Sequence, residues 1–101
     1  MFIYNITFKV HNDIHEPWLQ WIKTKHIQDI LDTKCFTKHQ FVRLLEVDDS
    51  EGPTYALQFY ADSKADYNRY IEIHAPKLRQ ESQDKWGDGF IGFRSLMQVV
   101  H

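Results

Sequence analysis

KHQFVRLLEVDDSEGPTYALQFYA, residues 38–61, decides the topology of this chain. Residues 38–47 and 54–61 are both rich in apolar and aromatic side chains, whereas DDSEGP between them gathers Asp, Ser, Gly and Pro, the residues of turns. Strands joined by so short a polar loop pair antiparallel, so the middle of the chain reads as a β-hairpin.

Outward from the hairpin, each arm leads to a helix and each helix to a further strand. On the N-terminal side, FIYNITFKV alternates Phe2, Tyr4, Ile6, Phe8 and Val10 against Ile3, Asn5, Thr7 and Lys9, which is a period-two strand with one wholly apolar face. Asn12 and Asp13 then offer N-cap oxygens, and Pro17 suits a first helical turn. From Glu16 to Asp32, Trp18, Ile22 and Ile30 recur at helical spacing, with Leu19, Ile27 and Leu31 widening the stripe. On the C-terminal side, Ser63 and Asp66 form a capping box, and Tyr67, Tyr70, Ile71, His74 and Leu78 form the stripe of a second helix that Pro76 should kink. KWGDG ends that helix and FIGFRSLMQVV is the last strand.

The order is β-α-β-β-α-β, an α+β ferredoxin-like arrangement: a four-stranded antiparallel sheet with two helices on one face. With no linker or repeat, residues 1–101 read as a single domain. Parity places Phe2, Tyr4, Ile6 and Phe8 under the helices, joined by Tyr55, Leu57 and Phe59. From the last strand it adds Ile91, Phe93, Met97 and Val99. The opposite, half-polar face then holds Asn5, Thr7, Lys9, Thr54, Gln58, Tyr60, Arg94 and Gln98, with Ile3, Phe90, Leu96 and Val100 among them. Arg43, in the second strand, can take either face. An apolar patch of that size calls for a cover, and a second copy laid face to face supplies one, giving a homodimeric α+β barrel with Arg94 buried at the interface.

Composition narrows the function classes. Twelve Lys and Arg against fourteen Asp and Glu leave no basic stripe, so nucleic-acid binding is not expected. No apolar run nears the roughly 18 residues of a membrane span, and the N-terminus alternates where a signal peptide would be continuous. Together with the lone Cys35, this leads us to expect a soluble cytoplasmic protein with no membrane partner. No Cys-x-x-Cys, HExxH or glycine-rich phosphate loop occurs, so neither a metal nor a cofactor is expected.

MFIYNITFKV, WLQWIKTKHI, TKCF, VRLLEV, EGPTYALQFYADS, YIEIHAPKLRQ and GFRSLMQVV together resemble the landmarks of an uncharacterised bacterial family, domain of unknown function number 4286. The resemblance runs nearly end to end and implies the dimeric α+β barrel group, with no activity attached.

Six residues are candidates for a site. Arg94 is either paired with Glu46 or a partner's carboxylate, or it anchors a ligand's carboxylate or phosphate. Arg43 carries the same two readings. His26 falls on the first helix stripe, between Ile22 and Ile30, and suits a general acid or base, since enzymes of the barrel group carry a similar histidine; the alternative is a half-buried ring bonded to a backbone carbonyl. Asn5 and Gln58 would add polar groups beside Arg94. His74 with Asn5 is similar in position to the iron-ligand histidine and nearby asparagine of haem-degrading monooxygenases in that group. The leading expectation is a pocket near the sheet that binds or transforms a small polar metabolite. The alternatives are a non-catalytic interaction module whose polar groups only fix the dimer, and a haem-binding, monooxygenase-like protein.

Overall fold

The protein is described by a computed structural model over residues 1–101. Strand β1 (Phe2–Val10) is followed by helix α1, which comprises His15–Trp21, a π-helical turn Ile22–His26 and Ile27–Leu31. The hairpin strands are β2 (Lys38–Arg43) and β3 (Thr54–Ala61). Helix α2 comprises Lys64–Arg69, a second π turn Tyr70–His74 and Ala75–Trp86, and β4 (Phe90–Gln98) closes the fold. The strands lie in the order β2-β3-β1-β4, all neighbours antiparallel. This is the ferredoxin-like topology expected from the hairpin and its two flanking helices. No helix is long and apolar enough to cross a membrane.

The helix-covered face of β1 and β3 follows the alternation. Tyr4, Ile6, Phe8, Val10, Tyr55, Leu57, Phe59 and Ala61 are buried, and Trp18, Ile22, Ile30, Tyr70 and Leu78 descend on them from the helices. Aromatic rings dominate this contact: Tyr70 lies 5.0 Å from Phe36 and 5.5 Å from Tyr4, centroid to centroid, and Phe8 meets Trp18 edge-on at 5.2 Å. These are favourable offset and edge-to-face geometries.

Strand β4 has the opposite parity to the expected one. Its register sets Phe90 beside Val10, Gly92 beside Phe8, Arg94 beside Ile6 and Leu96 beside Tyr4, so these four face the helices. Ile91, Phe93, Ser95 and Met97 stand beside Lys9, Thr7, Asn5 and Ile3 on the open face, where Ile91 and Phe93 are 58% and 57% exposed. Both parities of FIGFRSLMQ are apolar enough to be the core face, so alternation carries no decision here. The backbone ladder to β1 makes it.

Two further differences are local, at the end of β2 and at the start of α1, and the turn between the hairpin strands falls where expected. β2 stops at Arg43, not Val47: Leu44 still donates to the Thr54 carbonyl, but Glu46 then adopts a left-handed φ of 59° that leaves the strand. The hairpin closes through Gly52, where φ is +149° and a Cβ would overlap the Val10 carbonyl, so only glycine fits. Helix α1 begins behind Ile14 with no side-chain cap. Asn12 reaches instead for the Ser50 carbonyl at 3.5 Å, and the Asp13 amide donates to His11 Nδ1 at 3.1 Å. The cap expected at Ser63 is present: its Oγ accepts from the Asp66 amide at 3.1 Å.

Candidate functional site

Each helix is interrupted once. In α2 the cause is Pro76, which has no amide hydrogen and whose ring would strike the carbonyl one turn back. The chain yields by forming the π turn, in which the Ala75 amide bonds the Tyr70 carbonyl. In α1 the Thr24 hydroxyl donates to the Gln20 carbonyl at 2.7 Å, competing with the helical ladder, and the Ile27 amide bonds the Ile22 carbonyl across the other π turn. Such turns recur at functional sites. Here His26 belongs to one and Tyr70 to the other, and both residues line a cavity of about 340 Å³.

That cavity lies between the helices and β1 with β4. Tyr4, Ile6 and Phe8 form its floor from β1, and Phe90, Gly92 and Arg94 continue it along β4. Arg79 and Ser82 approach from α2. Gly92 is what leaves the space open: a Cβ there would sit at an ordinary 3.8 Å from Ile6 and Phe8, so a larger residue would fill the void. A glycine inside a strand commonly marks a close approach by something else.

His26 is 6% exposed and stacks on Trp21 with ring centroids 4.5 Å apart. Burial pushes its pKa down to about 4, against a smaller opposing pull from Asp29, so the ring is neutral near pH 7. Its Nδ1 is buried with no hydrogen-bond partner, so the carbonyl bond expected of a structural histidine is not formed. Arg79 donates from Nη2 to the Tyr4 hydroxyl at 3.2 Å, while its Nε is buried and likewise unpartnered. Burial raises the Tyr70 phenol well above the ordinary tyrosine pKa, opposed by the charges of Arg79 and Arg94, so it stays protonated.

Arg94 is on this cavity wall, not on the open sheet face, and it is exposed. It has no carboxylate within salt-bridge distance, and Glu46 sits in the hairpin loop. The expected Arg94–Glu46 pair and the burial of Arg94 against a sheet-facing copy are both corrected by the β4 register. Asn5 and Gln58 do lie on the open face and bond each other, Gln58 Nε2 donating to Asn5 Oδ1 at 3.3 Å, with Asn5 Nδ2 donating to Thr7 at 3.1 Å. The sheet separates them from Arg94. Arg43 shares the parity of Phe41 at the far edge and meets Asp49 at 3.4 Å, both side chains largely exposed. His74 packs against Tyr70 at 6.4 Å on the helix side, so the sheet stands between it and Asn5. A haem site built from that pair is not formed.

The sequence drew attention to Arg94 and His26 but passed over Arg79, Tyr70 and Gly92 as site residues. The available signal was FIGFR, a glycine two positions before an arginine inside a strand.

The profile of the family described as "Domain of unknown function (DUF4286)" matches residues 1–100. The chain belongs to the DUF4286 family. No curated protein matches this DUF4286 chain. Among solved structures it is similar to a dimeric ferredoxin-like protein from an uncultured marine organism, with TM-score 0.71, 15% identity, and 100% of this chain and 96% of that one covered. It is also similar to an ethyl tert-butyl ether D family protein from Bacillus halodurans, with TM-score 0.69, 8% identity, and 99% and 100% covered. A third is SnoaB, a cofactor-independent oxygenase from Streptomyces nogalater, with TM-score 0.65, 13% identity, and 99% and 95% covered. At these identities the likeness fixes the fold of the DUF4286 chain as that of the dimeric ferredoxin-like proteins.

Proposed function

We propose that this DUF4286 protein is a homodimer in which each subunit binds a small polar metabolite in the cavity between sheet and helices, with His26 as the group available for proton transfer. The observation that carries the reading is that two residues lining one void, His26 and Arg79, each hold a buried side-chain nitrogen with no partner, Nδ1 and Nε. Buried polar atoms are nearly always satisfied, and of the four that are not, two belong to residues of this cavity and the others are the Trp18 and Trp86 indole nitrogens, which supports a molecule there that completes the first two. The volume is at the small end of ligand cavities, about 300–1,000 Å³. His26 is neutral, so one ring nitrogen can accept a proton while the other donates.

Dimerisation is supported by the open face. Ile91, Phe93 and Met97 form an exposed apolar row there, beside the Asn5–Gln58 pair. A second sheet would cover the row, and the amide pair would fix its register. The reading of those amides as interface elements thus joins the pocket reading instead of competing with it.

Native mass spectrometry on the purified protein tests the proposal. The expected result is a dimer retaining a small molecule that is lost in Gly92→Leu, whose side chain fills the cavity. A ligand-free protein, or one whose bound molecule survives Gly92→Leu, counts against it.

A further inference from the structure

The cavity also carries information about the charge of its occupant. Arg79 and Arg94 both line it, and no Asp or Glu does. Neither guanidinium has an acidic partner anywhere in the chain. The carboxylates that follow Arg79 in the sequence of α2 are engaged elsewhere: Glu81 with Lys25 at 3.9 Å and Asp84 with Gln80 at 2.7 Å. Tyr70, Arg79 and Arg94 all line this one cavity, so the two positive charges border the same space. Arg79 is half-buried and Arg94 reaches the cavity from its exposed rim, so an anion entering the cavity would meet two permanent positive charges and no negative one.

The rest of the wall is mixed: Ile6, Phe8, Ile30 and Phe90 form an apolar stretch of it, and Gln80, Ser82 and Gln83 a polar one on the α2 side. A bare inorganic anion would leave the apolar stretch wet, whereas an organic anion with an apolar body would cover it. The geometry points to an organic carboxylate as the occupant, its charged end held by Arg79 and Arg94 and its apolar body lying on Phe8 and Phe90 over Gly92. This inference rests on the cavity reading above and adds the charge and shape of the ligand. The Tyr4 hydroxyl, which accepts from Arg79, keeps that guanidinium aimed along the β1 floor.

The test is calorimetric titration of the full-length protein with benzoate and 2-naphthoate, with their alcohols benzyl alcohol and 2-naphthalenemethanol, and with inorganic phosphate. The carboxylates are expected to bind about ten-fold or more tightly than the alcohols, the usual weight of a charge-assisted hydrogen bond, and phosphate more weakly than either carboxylate. Arg79→Gln and Arg94→Gln should each remove most of that preference, while Arg69→Gln, whose side chain serves Asp66 and the Lys34 carbonyl on the surface, should not. The acid-to-alcohol comparison is made on the unaltered protein, so it stands even if an arginine variant misfolds. Equal binding of acid and alcohol overturns the anion inference and leaves the cavity reading intact. Phosphate binding as tight as naphthoate overturns the organic body. No binding by any of the probes at millimolar concentration overturns both readings together.

Discussion

Acidification offers a direct probe of His26. The folded ring has a pKa of about 4, lowered first by burial, whereas the unfolded ring titrates at its ordinary 6.5. Between those values the unfolded chain binds the extra proton, so stability falls as pH drops through 6.5 and the loss is complete below about 4. The two pKa values together make the full loss about 3 kcal/mol, and about 2 kcal/mol of it arrives between about pH 7 and pH 5. Replacing the ring by an apolar one of similar shape, His26→Phe, keeps the stack on Trp21 and removes the proton site. The assay is urea unfolding of both proteins near pH 7 and near pH 5, at one protein concentration because the stability of the proposed dimer would depend on it. The other five histidines are common to both proteins and cancel in the double difference. The variant should lose about 2 kcal/mol less than the parent over that interval. Equal losses would mean that His26 is charged and solvated in the folded protein, and the neutral-imidazole account of the cavity would fall.

Three other substitutions probe the fold and the site. Arg94→Gln should change stability by less than about 0.5 kcal/mol in thermal unfolding, because the side chain is exposed and unpaired; a loss of several kcal/mol would reveal a buried partner. Gly92→Val should be tolerated or stabilising by up to about 1 kcal/mol in the same assay, since β-branched residues favour strands and the new Cβ meets only ordinary contacts. A clear destabilisation would show that the void beside Gly92 is already filled by protein. Gly52→Ala should cost more than about 2 kcal/mol by chemical denaturation, as its Cβ overlaps the Val10 carbonyl in a backbone conformation that L-residues avoid. A neutral result would mean that the hairpin turn is wrongly described.

The topology was legible because its signals were redundant. The DDSEGP turn, the Ser63 cap and the clean alternation of FIYNITFKV each specify an element without reference to the others. The last strand was not legible, because FIGFRSLMQ offers an apolar face in either register. Choosing the more apolar parity as the core sent Arg94 to the wrong side of the sheet and drew Asn5 and Gln58 into its company. The core side of β4 is the less apolar one because it borders a cavity, with Gly92 and Arg94 where a packed core would carry larger apolar residues. His26 could be read from its place between Ile22 and Ile30, all three being buried. Arg79 could not be read in advance: it flanks the helical stripe beside Leu78, and only the third dimension brings it over Tyr4. The π turn at Pro76 was foreshadowed by the proline, whereas the one at His26 has no comparable mark in the sequence.

The central claim is that the void between sheet and helices is a ligand site, and a crystal structure of the protein with 2-naphthoate tests it most directly. The account predicts the carboxylate between Arg79 and Arg94, the rings over Gly92 against Phe8 and Phe90, and His26 Nδ1 with a partner. A naphthoate seated on the open sheet face beside Asn5 and Gln58, or a cavity closed by the protein's own side chains, would contradict it.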